Sequence, residues 1–324
     1  MNTSNIKKVL FNLRKDVPLA PFTTFRIGGL AKFFFTAYTR EELISAVLWA
    51  KKSNLPFFIL GGGSNLLGAD EGFNGLVIKI QNSKFKIQSH NSKFEIICEA
   101  GTSLKKLALK AQQIGAIGLE WTAGIPRATV GGAIRGNAGA FGSSMEDIVK
   151  KVEIFDCQTE ERKVLESQDC QFGYKESIFK KNQNFIVLSA QLQLKKGKKS
   201  EIEKKIKEYL TYRENAQPLD FPSAGSIFKN PKFKIQNPKL INKFPQLIEF
   251  NKKGMIPAGF LIEKAGLKGK KIGQAQISEK HANFIVNLGK ARAVEVIELI
   301  KLIKKEVKNK FNIILEEEIK IIQN

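Results

Sequence analysis

A run of three glycines directly after a short apolar segment constrains the fold more than any other feature of this chain. The segment Phe57–Leu60 is continuously apolar, which predicts a buried β-strand, and residues 61–63 are all glycine. Without Cβ atoms, the backbone amides of such a bend can turn toward an anion and approach it closely. Ser64 and Asn65 add groups that can donate hydrogen bonds to phosphate oxygens. Taken alone, the stretch is better explained as a plain glycine turn between two strands; a phosphate-binding loop is the alternative, which a second glycine-rich stretch favours.

This loop matches neither of the two common nucleotide-binding motifs. Its spacing differs from the dinucleotide pattern G-x-G-x-x-G, and no Gly-Lys-Ser/Thr follows as in a Walker loop. A second stretch strengthens the case for a ligand, because residues 122–142 contain six glycines and five alanines. Such a segment makes a weak core but suits backbone that lies against a large flat cofactor. The alternative is a tight helix–sheet contact of small residues, which Pro126 and the dense glycines disfavour.

Composition and charge limit the class of protein. The chain has 324 residues and is 43% hydrophobic, enough for two or three domains, and it contains no apolar run of membrane-spanning length. The formal charge is +22, but only 8 of the 53 basic residues are arginine, and the lysines are spread along the chain. Since nucleic-acid binding favours clustered arginines with exposed aromatics, we expect no nucleic-acid partner. A positive field still attracts anionic ligands.

The cysteines and the N-terminal residues predict a cytoplasmic location. Residues 1–16 include basic side chains but lack the apolar core of a secretory signal. Cys98, Cys157 and Cys170 are scattered and odd in number, which fits a reducing compartment better than a disulfide framework. Their spacing matches no metal site, so we expect a protein without a bound metal.

The first of three predicted units covers residues 1–82. Its pattern indicates a small α/β unit in the order strand, helix, strand, phosphate-type loop and strand. The helix begins at Thr39 with Glu42 three residues on, which is the form of a capping box. The last strand of this unit is expected over residues 76–80.

The second unit covers residues 83–215, where strands accompany two helices. The first helix runs from Leu104 and ends at Gly115, and the second opens with Ser200 and Glu203 in another capping box. The expected strands cover residues 94–98, 152–155, 162–165 and 185–194.

The third unit covers residues 216–324 and starts beside Pro218. Its expected elements are a helix over 258–266, a strand over 282–287 and a long helix over 292–308. A last strand, residues 311–322, places Glu316 and Glu318 on one face and apolar side chains on the other. We expect this strand to pack back on the second unit.

Taken together, these stretches resemble the UDP-N-acetylenolpyruvoylglucosamine reductases, flavoenzymes of bacterial peptidoglycan precursor synthesis. The resemblance runs from about Pro21 to Ile322, nearly the whole chain. Four motifs in the family's order carry it, and together they are highly specific. They are Gly61-Gly62-Gly63-Ser64-Asn65, Ala123-Gly124-Ile125-Pro126 through Asn137-Ala138-Gly139, Gln217-Pro218 with Pro222-Ser223-Ala224-Gly225-Ser226-Ile227-Phe228-Lys229-Asn230-Pro231, and Leu315-Glu316-Glu317-Glu318.

The resemblance implies an α+β protein with a FAD-binding fold of the vanillyl-alcohol-oxidase type. Residues 1–82 and 83–215 would be two α/β subdomains that hold FAD, and residues 216–324 an α+β domain that binds substrate. It also implies a reaction in two halves, in which hydride passes from NADPH to FAD and then from flavin N5 to the β-carbon of an enolpyruvyl ether. Negative charge builds on the conjugated carboxylate, so the site must stabilise it and protonate the α-carbon.

The same resemblance assigns three catalytic residues. Ser226 matches the family's proton donor, and Lys229 and Asn230 follow closely enough to assist it. Glu318 matches the catalytic glutamate, which we expect to be protonated in the substrate complex so that it can donate a hydrogen bond to the substrate carboxylate. An ionised Glu318 in that complex would contradict this expectation.

Lys175 stands where the family usually has the arginine of a Tyr-Arg-x-Ser motif, the group thought to hold the enolate charge. A lysine keeps the positive charge but loses the planar, bidentate geometry. The residue therefore either serves less well than arginine or is helped by another cation such as Arg213.

The resemblance also implies the residues that hold each ligand. Cofactor binding is assigned to Arg26, Gly28, Gly61, Gly62, Gly63, Ser64, Asn65, Leu66, Gly124, Ile125, Gly131, Gly132, Ala133, Asn137, Ala138 and Gly139. Substrate binding is assigned to Tyr174, Arg213, Lys229, Asn230 and His281, and a packing role explains His281 equally well.

A second departure from the family lies between Gly124 and Thr129, where this chain is one residue longer and carries Arg127. This arginine points either to a FAD phosphate or to water, and we favour water. Only one helix is expected between Leu194 and Arg213, so the chain resembles the shorter class of the family, without an inserted tyrosine-bearing loop. We expect a monomer.

The main alternative function is that of another FAD-dependent oxidoreductase of the same fold, acting on an alcohol or a sugar. Such enzymes often tether flavin through His or Cys, and both cofactor stretches lack these residues. Covalent attachment is therefore disfavoured.

Overall fold

Three larger β-sheets and the helices packed on them organise the described part of the chain, and each of these sheets comes mainly from one stretch of sequence; two further sheets have two strands each. The structure is a computed structural model that describes residues 11–323. Residues 1–10, which include most of the segment considered for a secretory signal and the start of the first predicted unit, lie outside the described part. Within residues 11–323, no helix combines the length and the apolar character that crossing a membrane requires.

The first sheet is built from residues 14–80 and has four strands. The elements of this stretch are β1 (Arg14–Pro18), β2 (Leu30–Ala37), α1 (Arg40–Lys52), β3 (Phe57–Leu60), β4 (Leu66–Gly68) and β5 (Phe73–Ile80). The sheet order is β1, β2, β5, β3, with β1 antiparallel to β2 and the other pairs parallel. The predicted order of strand, helix, strand, loop and strand is present, and the short β4 after the glycine loop is an addition.

Helix α1 begins after Thr39 as predicted, but only half of the expected capping box forms. The Thr39 hydroxyl accepts a hydrogen bond from the Glu42 N–H at 3.1 Å. The Glu42 carboxylate accepts instead from the Tyr38 N–H, at 2.8 Å, one residue before the cap. The prediction is therefore wrong in its second hydrogen bond, because the carboxylate reaches one residue further back than the motif requires.

The second sheet is built from residues 85–196. The elements of this unit are β6 (Phe85–His90), β7 (Lys93–Glu99), α2 (Leu104–Ile114), β8 (Ala116–Ile117), α3 (Val130–Arg135), β9 (Gly139–Ala140), β10 (Ser143–Ser144), β11 (Val149–Asp156), β12 (Glu161–Glu166), α4 (Ile178–Lys181), β13 (Phe185–Lys196) and α5 (Lys199–Ala216). Strands β12, β11, β13, β7 and β6 lie side by side in that order, all antiparallel, and β8 pairs with the end of β13. Gly115 ends α2 with φ of 74°, as predicted.

Part of the glycine-rich segment is helical, which the sequence analysis disfavoured. Gly131 and Gly132 lie inside α3. A Cβ on Gly131 would come within 2.9 Å of the Ala100 Cβ, and the Gly131 N–H donates to the Ala100 carbonyl at 2.8 Å. This part therefore makes a tight contact of small residues with the end of β7, and its role toward a cofactor stays a prediction. Tertiary packing outweighs the low helix propensity of glycine.

The start of α5 also differs from the prediction. The helix begins at Lys199, after Lys198, and no side chain caps its first turn. The capping box expected at Ser200 and Glu203 is therefore wrong, because Ser200 already lies inside the helix.

The third sheet has four antiparallel strands from the C-terminal part. The elements are β14 (Ser223–Ser226), α6 (Pro238–Lys243), α7 (Gln246–Lys253), α8 (Ala258–Lys264), β15 (Lys271–Ile272), β16 (Ala275–Ile277), β17 (Phe284–Asn287), α9 (Ala293–Phe311) and β18 (Lys320–Ile322). The sheet order is β14, β17, β16, β15.

The predicted last strand is much shorter than expected and pairs elsewhere. Helix α9 continues to Phe311, and only β18 is a strand. It pairs in parallel with β4 of the first unit, so the expectation that it packs on the second unit is wrong. The segment that precedes β18 is extended but is not flanked by a β-strand on each side. Ile313, Leu315 and Ile319 are nevertheless buried, as the alternation predicted.

The apolar cores cross the predicted unit boundaries. One cluster joins the first and second units, from Phe35 to Ile206. Another joins the third unit with Phe25, Ile27 and Leu67 of the first unit. The loops of all three units are therefore held close together by shared packing.

Candidate active site

A cavity of about 670 Å³ lies between the second and third units. Seven of the predicted site residues line it, and they include all three predicted catalytic residues. The seven are Asn137, Gly139, Tyr174, Lys175, Ser226, Asn230 and Glu318. Residues from sequence positions far apart thus converge on one cavity.

Lys175 and Glu318 form an ion pair across this cavity. The Lys175 Nζ lies 2.7 Å from the Glu318 Oε1, and both side chains are about one-fifth exposed. Lys175 has φ of 57°, a left-handed conformation that is unusual for a residue with a side chain. Such outliers concentrate at functional sites, where the surrounding structure holds them in place.

Ser226 is held beside Glu318 by backbone hydrogen bonds. The Glu318 N–H donates to the carbonyl of Ile227, the residue after Ser226, at 2.7 Å. Just beyond, the buried Asn283 amide accepts from the Phe228 N–H at 3.0 Å and donates to its carbonyl at 2.9 Å. These bonds fix the chain directly after Ser226, and its hydroxyl and the Glu318 carboxylate share the cavity.

Tyr174 and Asn230 join the second unit to the third at the cavity wall. The Asn230 N–H donates to the Tyr174 hydroxyl at 3.2 Å, and the Asn230 Oδ1 accepts from the Ala258 N–H at 2.9 Å. The Asn230 side-chain oxygen is thus occupied by protein.

Glycine is needed in this loop because neighbouring loops pack too closely for a Cβ atom, and its backbone amides are also open. A Cβ on Gly62 would come within 1.5 Å of the Arg127 carbonyl oxygen, and one on Gly63 within 2.0 Å of the Phe22 carbonyl oxygen. Within residues 11–323, the N–H groups of residues 62–65 donate no hydrogen bond to another backbone group. These amides therefore remain available for an anion.

Three cations lie beside this loop, and none forms an ion pair with a carboxylate in the described part of the chain; they are Lys79, Arg127 and Lys320. The Lys79 side chain is buried and its Nζ donates to the Gly61 carbonyl. Burial, together with the charge of Arg127, lowers the pKa of Lys79 to about 8. Burial and the charge of Arg135 likewise lower the pKa of Lys320. Positive charge without a counterion indicates a site for an anionic ligand.

Two asparagines predicted to bind cofactor form hydrogen bonds to other protein groups through their side chains. Asn65 donates to the Glu318 carbonyl at 3.0 Å, which ties the glycine loop to the segment that carries Glu318. Asn137 is buried, donates to the Gly173 carbonyl at 2.8 Å and accepts from the Glu146 N–H at 3.1 Å. Both therefore hold loops in place through these side chains.

The other predicted cofactor residues lie along the same loops. Arg26 is exposed on the loop that contacts Gly63, and Gly28 packs on Leu19 and Gly68. Gly124 packs on the Arg213 side chain, so its lack of a Cβ serves a protein contact. The remaining members are Ser64, Leu66, Ile125, Gly132, Ala133, Ala138 and Gly139, which occupy the glycine loop, the start of β4 and the small-residue segment.

Three predicted substrate residues do not line the cavity that holds Ser226; they are Arg213, Lys229 and His281. Arg213 is buried, donates to the Trp121 carbonyl at 3.3 Å and lies 5.2 Å from the Phe141 ring centre. Burial lowers the pKa of His281, whose Nδ1 accepts from the Asn283 N–H at 3.2 Å. His281 therefore packs beneath the cavity wall, the alternative that the sequence left open.

Several lining residues escaped the sequence analysis, and they include Phe141, Met255 and Asn283. Asn283 follows His281 by two residues, but nothing in the sequence shows that its amide forms two hydrogen bonds with the backbone of Phe228. Lys79 carried a clearer signal, since it is a lone lysine inside the otherwise apolar residues 76–80.

The class of protein follows from these features together with a family match. Residues 31–164 match the family model described as FAD binding domain, and this range contains the glycine loop, Lys79 and the small-residue segment. The open amides and unpaired cations fit a cofactor with a diphosphate. The chain is a FAD-dependent oxidoreductase, which confirms the predicted α+β class with a FAD-binding fold.

The remaining matches identify the family. Residues 217–322 match the C-terminal domain of UDP-N-acetylenolpyruvoylglucosamine reductase. Reductases of that name from Caldanaerobacter subterraneus subsp. tengcongensis and a Synechococcus strain are 41% and 38% identical, covering 94% and 99% of this chain and 92% and 95% of their own. The crystal structure of the Thermus caldophilus enzyme aligns with a TM-score of 0.75 at 35% identity, over 95% of this chain and 99% of that one. The chain belongs to the UDP-N-acetylenolpyruvoylglucosamine reductase family.

Proposed function

We propose that this protein reduces the enolpyruvyl ether of UDP-N-acetylglucosamine enolpyruvate to UDP-N-acetylmuramate, with NADPH as reductant. The observation that carries the proposal is the convergence of Lys175, Ser226 and Glu318 on one cavity whose wall is tied to the glycine loop through Asn65. The reaction would serve peptidoglycan precursor synthesis in the cytoplasm, catalysed by a monomer. The three cysteines of the described chain are free and buried, in keeping with a reducing compartment.

The cofactor diphosphate would be held at the glycine loop. Lys79 and Arg127 supply positive charge there, and among residues 11–323 the N–H groups of residues 62–65 donate no hydrogen bond to another backbone group. When bound, FAD supplies hydride chemistry, accepting hydride from NADPH and delivering it to the β-carbon of the substrate. This role for Arg127 departs from the preference for water drawn from the sequence.

The residues of the chain then handle the charge and the proton. In the free protein Lys175 is paired with Glu318, and the substrate carboxylate takes over this ammonium. As hydride adds at the β-carbon, Lys175 stabilises the charge that builds on the carboxylate. Ser226 gives its hydroxyl proton to the α-carbon and regains a proton from water, so the double bond becomes a single bond and nothing leaves. Glu318, released from Lys175, takes up a proton from water as the substrate binds and donates a hydrogen bond to the carboxylate.

The direct test is catalysis by the purified, yellow protein. NADPH consumption should depend on the enolpyruvyl substrate, and mass spectrometry should show UDP-N-acetylmuramate in an amount equal to the NADPH consumed. Flavin reduction by an alcohol or a sugar, without turnover of the enolpyruvyl ether, would instead establish the alternative function.

Replacing Lys79 by methionine should weaken FAD binding by roughly tenfold or more, because hydrogen bonds to charged groups contribute about 1.5–3 kcal/mol. The variant keeps the length of the side chain but removes the ammonium beside the Gly61 carbonyl. Fluorescence titration of the apoprotein with FAD measures the effect. Lys86→Met, at an exposed position on β6, is the matched control. Equal affinities for the two variants would contradict a role of Lys79 at the cofactor.

FAD affinity should also depend on pH through the same lysine. The pKa of Lys79 is about 8 in the structure, and a bound diphosphate favours the charged form. Affinity is therefore full below pH 8 and falls as the pH rises above it, since binding must then return a proton to Lys79. The same titration across the pH range should show this fall in the native protein and not in Lys79→Met.

Replacing Lys175 by arginine should preserve or raise turnover. Arginine is the residue that the family usually has here, and its planar fork can pair with both oxygens of a carboxylate. The measurement is kcat with saturating NADPH and substrate. A large loss would show that the site is built around the ammonium of Lys175.

A further inference from the structure

The turn that carries Lys175 is held in an unusual backbone conformation. Gly173 and Glu176 exchange two backbone hydrogen bonds, of 3.0 and 3.1 Å, so Tyr174 and Lys175 form the tip of a tight turn. Lys175 has φ of 57°, which a lysine adopts only when its surroundings impose it. The direction of its side chain therefore depends on what holds the turn.

Two lysines hold this turn through Glu176. The Glu176 Oε1 lies 3.2 Å from the Lys180 Nζ and 2.9 Å from the Lys229 Nζ. Lys180 also donates to the Lys175 carbonyl at 3.0 Å. Burial acts to raise the pKa of Glu176, but the hydrogen bonds from Lys229 and Lys180 outweigh it and lower that pKa. The carboxylate is thus kept ionised between the two ammonium groups.

Lys229 brings the third unit into the same network. It follows Ser226 by three residues, its side chain is 8% exposed, and its Nζ also lies 2.5 Å from the Glu316 Oε1. Its N–H donates to the Glu316 carbonyl at 2.9 Å. Burial alone would lower the pKa of Lys229, yet the hydrogen bonds to Glu316 and Glu176 raise it. The ammonium is therefore engaged by two carboxylates and lines a neighbouring cavity, apart from Ser226.

We propose that Glu176 and Lys229 are a pair of positioning residues, which fix the Lys175 turn of the second unit relative to the Ser226 strand of the third. The inference rests on the proposed function. It replaces the expectation that Lys229 contacts substrate or assists Ser226 directly. Replacing the Glu176 carboxylate weakens its contacts with both Lys229 and Lys180, the two lysines that hold the turn, so the turn shifts when Glu176 is lost.

The pair also explains how a lysine works where the family usually has arginine. A lysine side chain is flexible and presents a point charge, so it lacks the built-in geometry of a guanidinium fork. Fixing its backbone restores part of that geometry. The distance between the charge that stabilises the carboxylate and the hydroxyl that protonates the α-carbon is then set by Glu176 and Lys229.

The test compares Glu176→Gln with Glu316→Gln. Both variants remove one carboxylate from Lys229, but Glu316 is 71% exposed and does not contact the Lys175 turn. We expect Glu176→Gln to lower kcat by about tenfold to a hundredfold, as a small misplacement of a reacting group does, with a smaller change in KM. FAD content and the rate of flavin reduction by NADPH stay unchanged. Glu316→Gln stays within about twofold of the native kcat.

Further measurements separate positioning from folding and from failure of the proposed function. Lys229→Met should lose activity like Glu176→Gln, and Lys229→Arg should recover part of it. A crystal structure of Glu176→Gln should show the Lys175 Nζ moved away from the Glu318 carboxylate, a result independent of any assay. An unmoved Lys175, equal kcat in the two glutamine variants, or a rise in KM alone would overturn the inference. An inactive native protein would overturn the proposed function, while the crystal structure still decides the inference.

Discussion

Ser226→Ala should lower the rate of substrate reduction by roughly a thousandfold, because a positioned general acid contributes about 10²–10⁴ to a proton transfer. Ser226 ends β14 inside the cavity, and the bonds to Ile227 and Phe228 fix its neighbours. Alanine removes only the hydroxyl, so FAD binding and flavin reduction by NADPH should remain native. The loss should therefore be confined to the half-reaction with the enolpyruvyl substrate, which stopped-flow absorbance of the flavin measures.

The matched control for this variant is Ser223→Ala, at the other end of the same strand. Ser223 pairs with Val286 and is not part of the cavity lining. It should keep the native rate within about twofold, as substitutions away from special features usually do. A Ser226→Ala enzyme that is slowed less than about tenfold would show that another group protonates the α-carbon.

Glu318→Ala should be the second most damaging change, with a fall in kcat of roughly a hundredfold to a thousandfold, the range found when one stabilising donor is removed. The variant loses the expected hydrogen bond to the substrate carboxylate and leaves Lys175 without its partner at 2.7 Å. Glu318→Gln retains an N–H donor at the same position, so it should keep clearly more activity than the alanine variant.

Glu317, which is next to Glu318 in the chain, offers a control in the same backbone segment. Glu317 does not line the cavity, and its carboxylate lies 2.9 Å from the Lys304 Nζ on α9. Glu317→Ala should keep kcat within about threefold of native, because exposed ion pairs contribute little. A Glu318→Gln enzyme as slow as Glu318→Ala would contradict the role of Glu318 as a hydrogen-bond donor.

Sequence patterns predicted the elements of the fold that depend on residues close together in the chain. The apolar run Phe57–Leu60 became β3, and Gly115 ended α2, because burial and a left-handed cap are decided locally. The pairing of β18 with β4 joins residues more than 250 positions apart, and no pattern near Lys320 indicates that partner. Gly131 lies in a helix that packs against Ala100, a contact that the sequence around Gly131 does not indicate.

In the candidate site, too, some features could be predicted from the sequence and others required the structure. Lys175, Ser226 and Glu318, which the resemblance assigns to one site, line one cavity, and their individual roles stay predictions. The partners of each side chain required the structure. Lys229 matched a family motif, but its ammonium faces Glu176 and Glu316, which could not be inferred from its position in that motif.

The most direct measurement of the central claim is a single turnover without oxygen. The purified protein is reduced with one equivalent of NADPH, mixed anaerobically with UDP-N-acetylglucosamine enolpyruvate, and followed by flavin absorbance and mass spectrometry. We predict rapid return of the oxidised flavin spectrum with formation of UDP-N-acetylmuramate. A flavin that stays reduced in the presence of this substrate, or a protein that cannot be obtained with FAD at all, would contradict the proposed function.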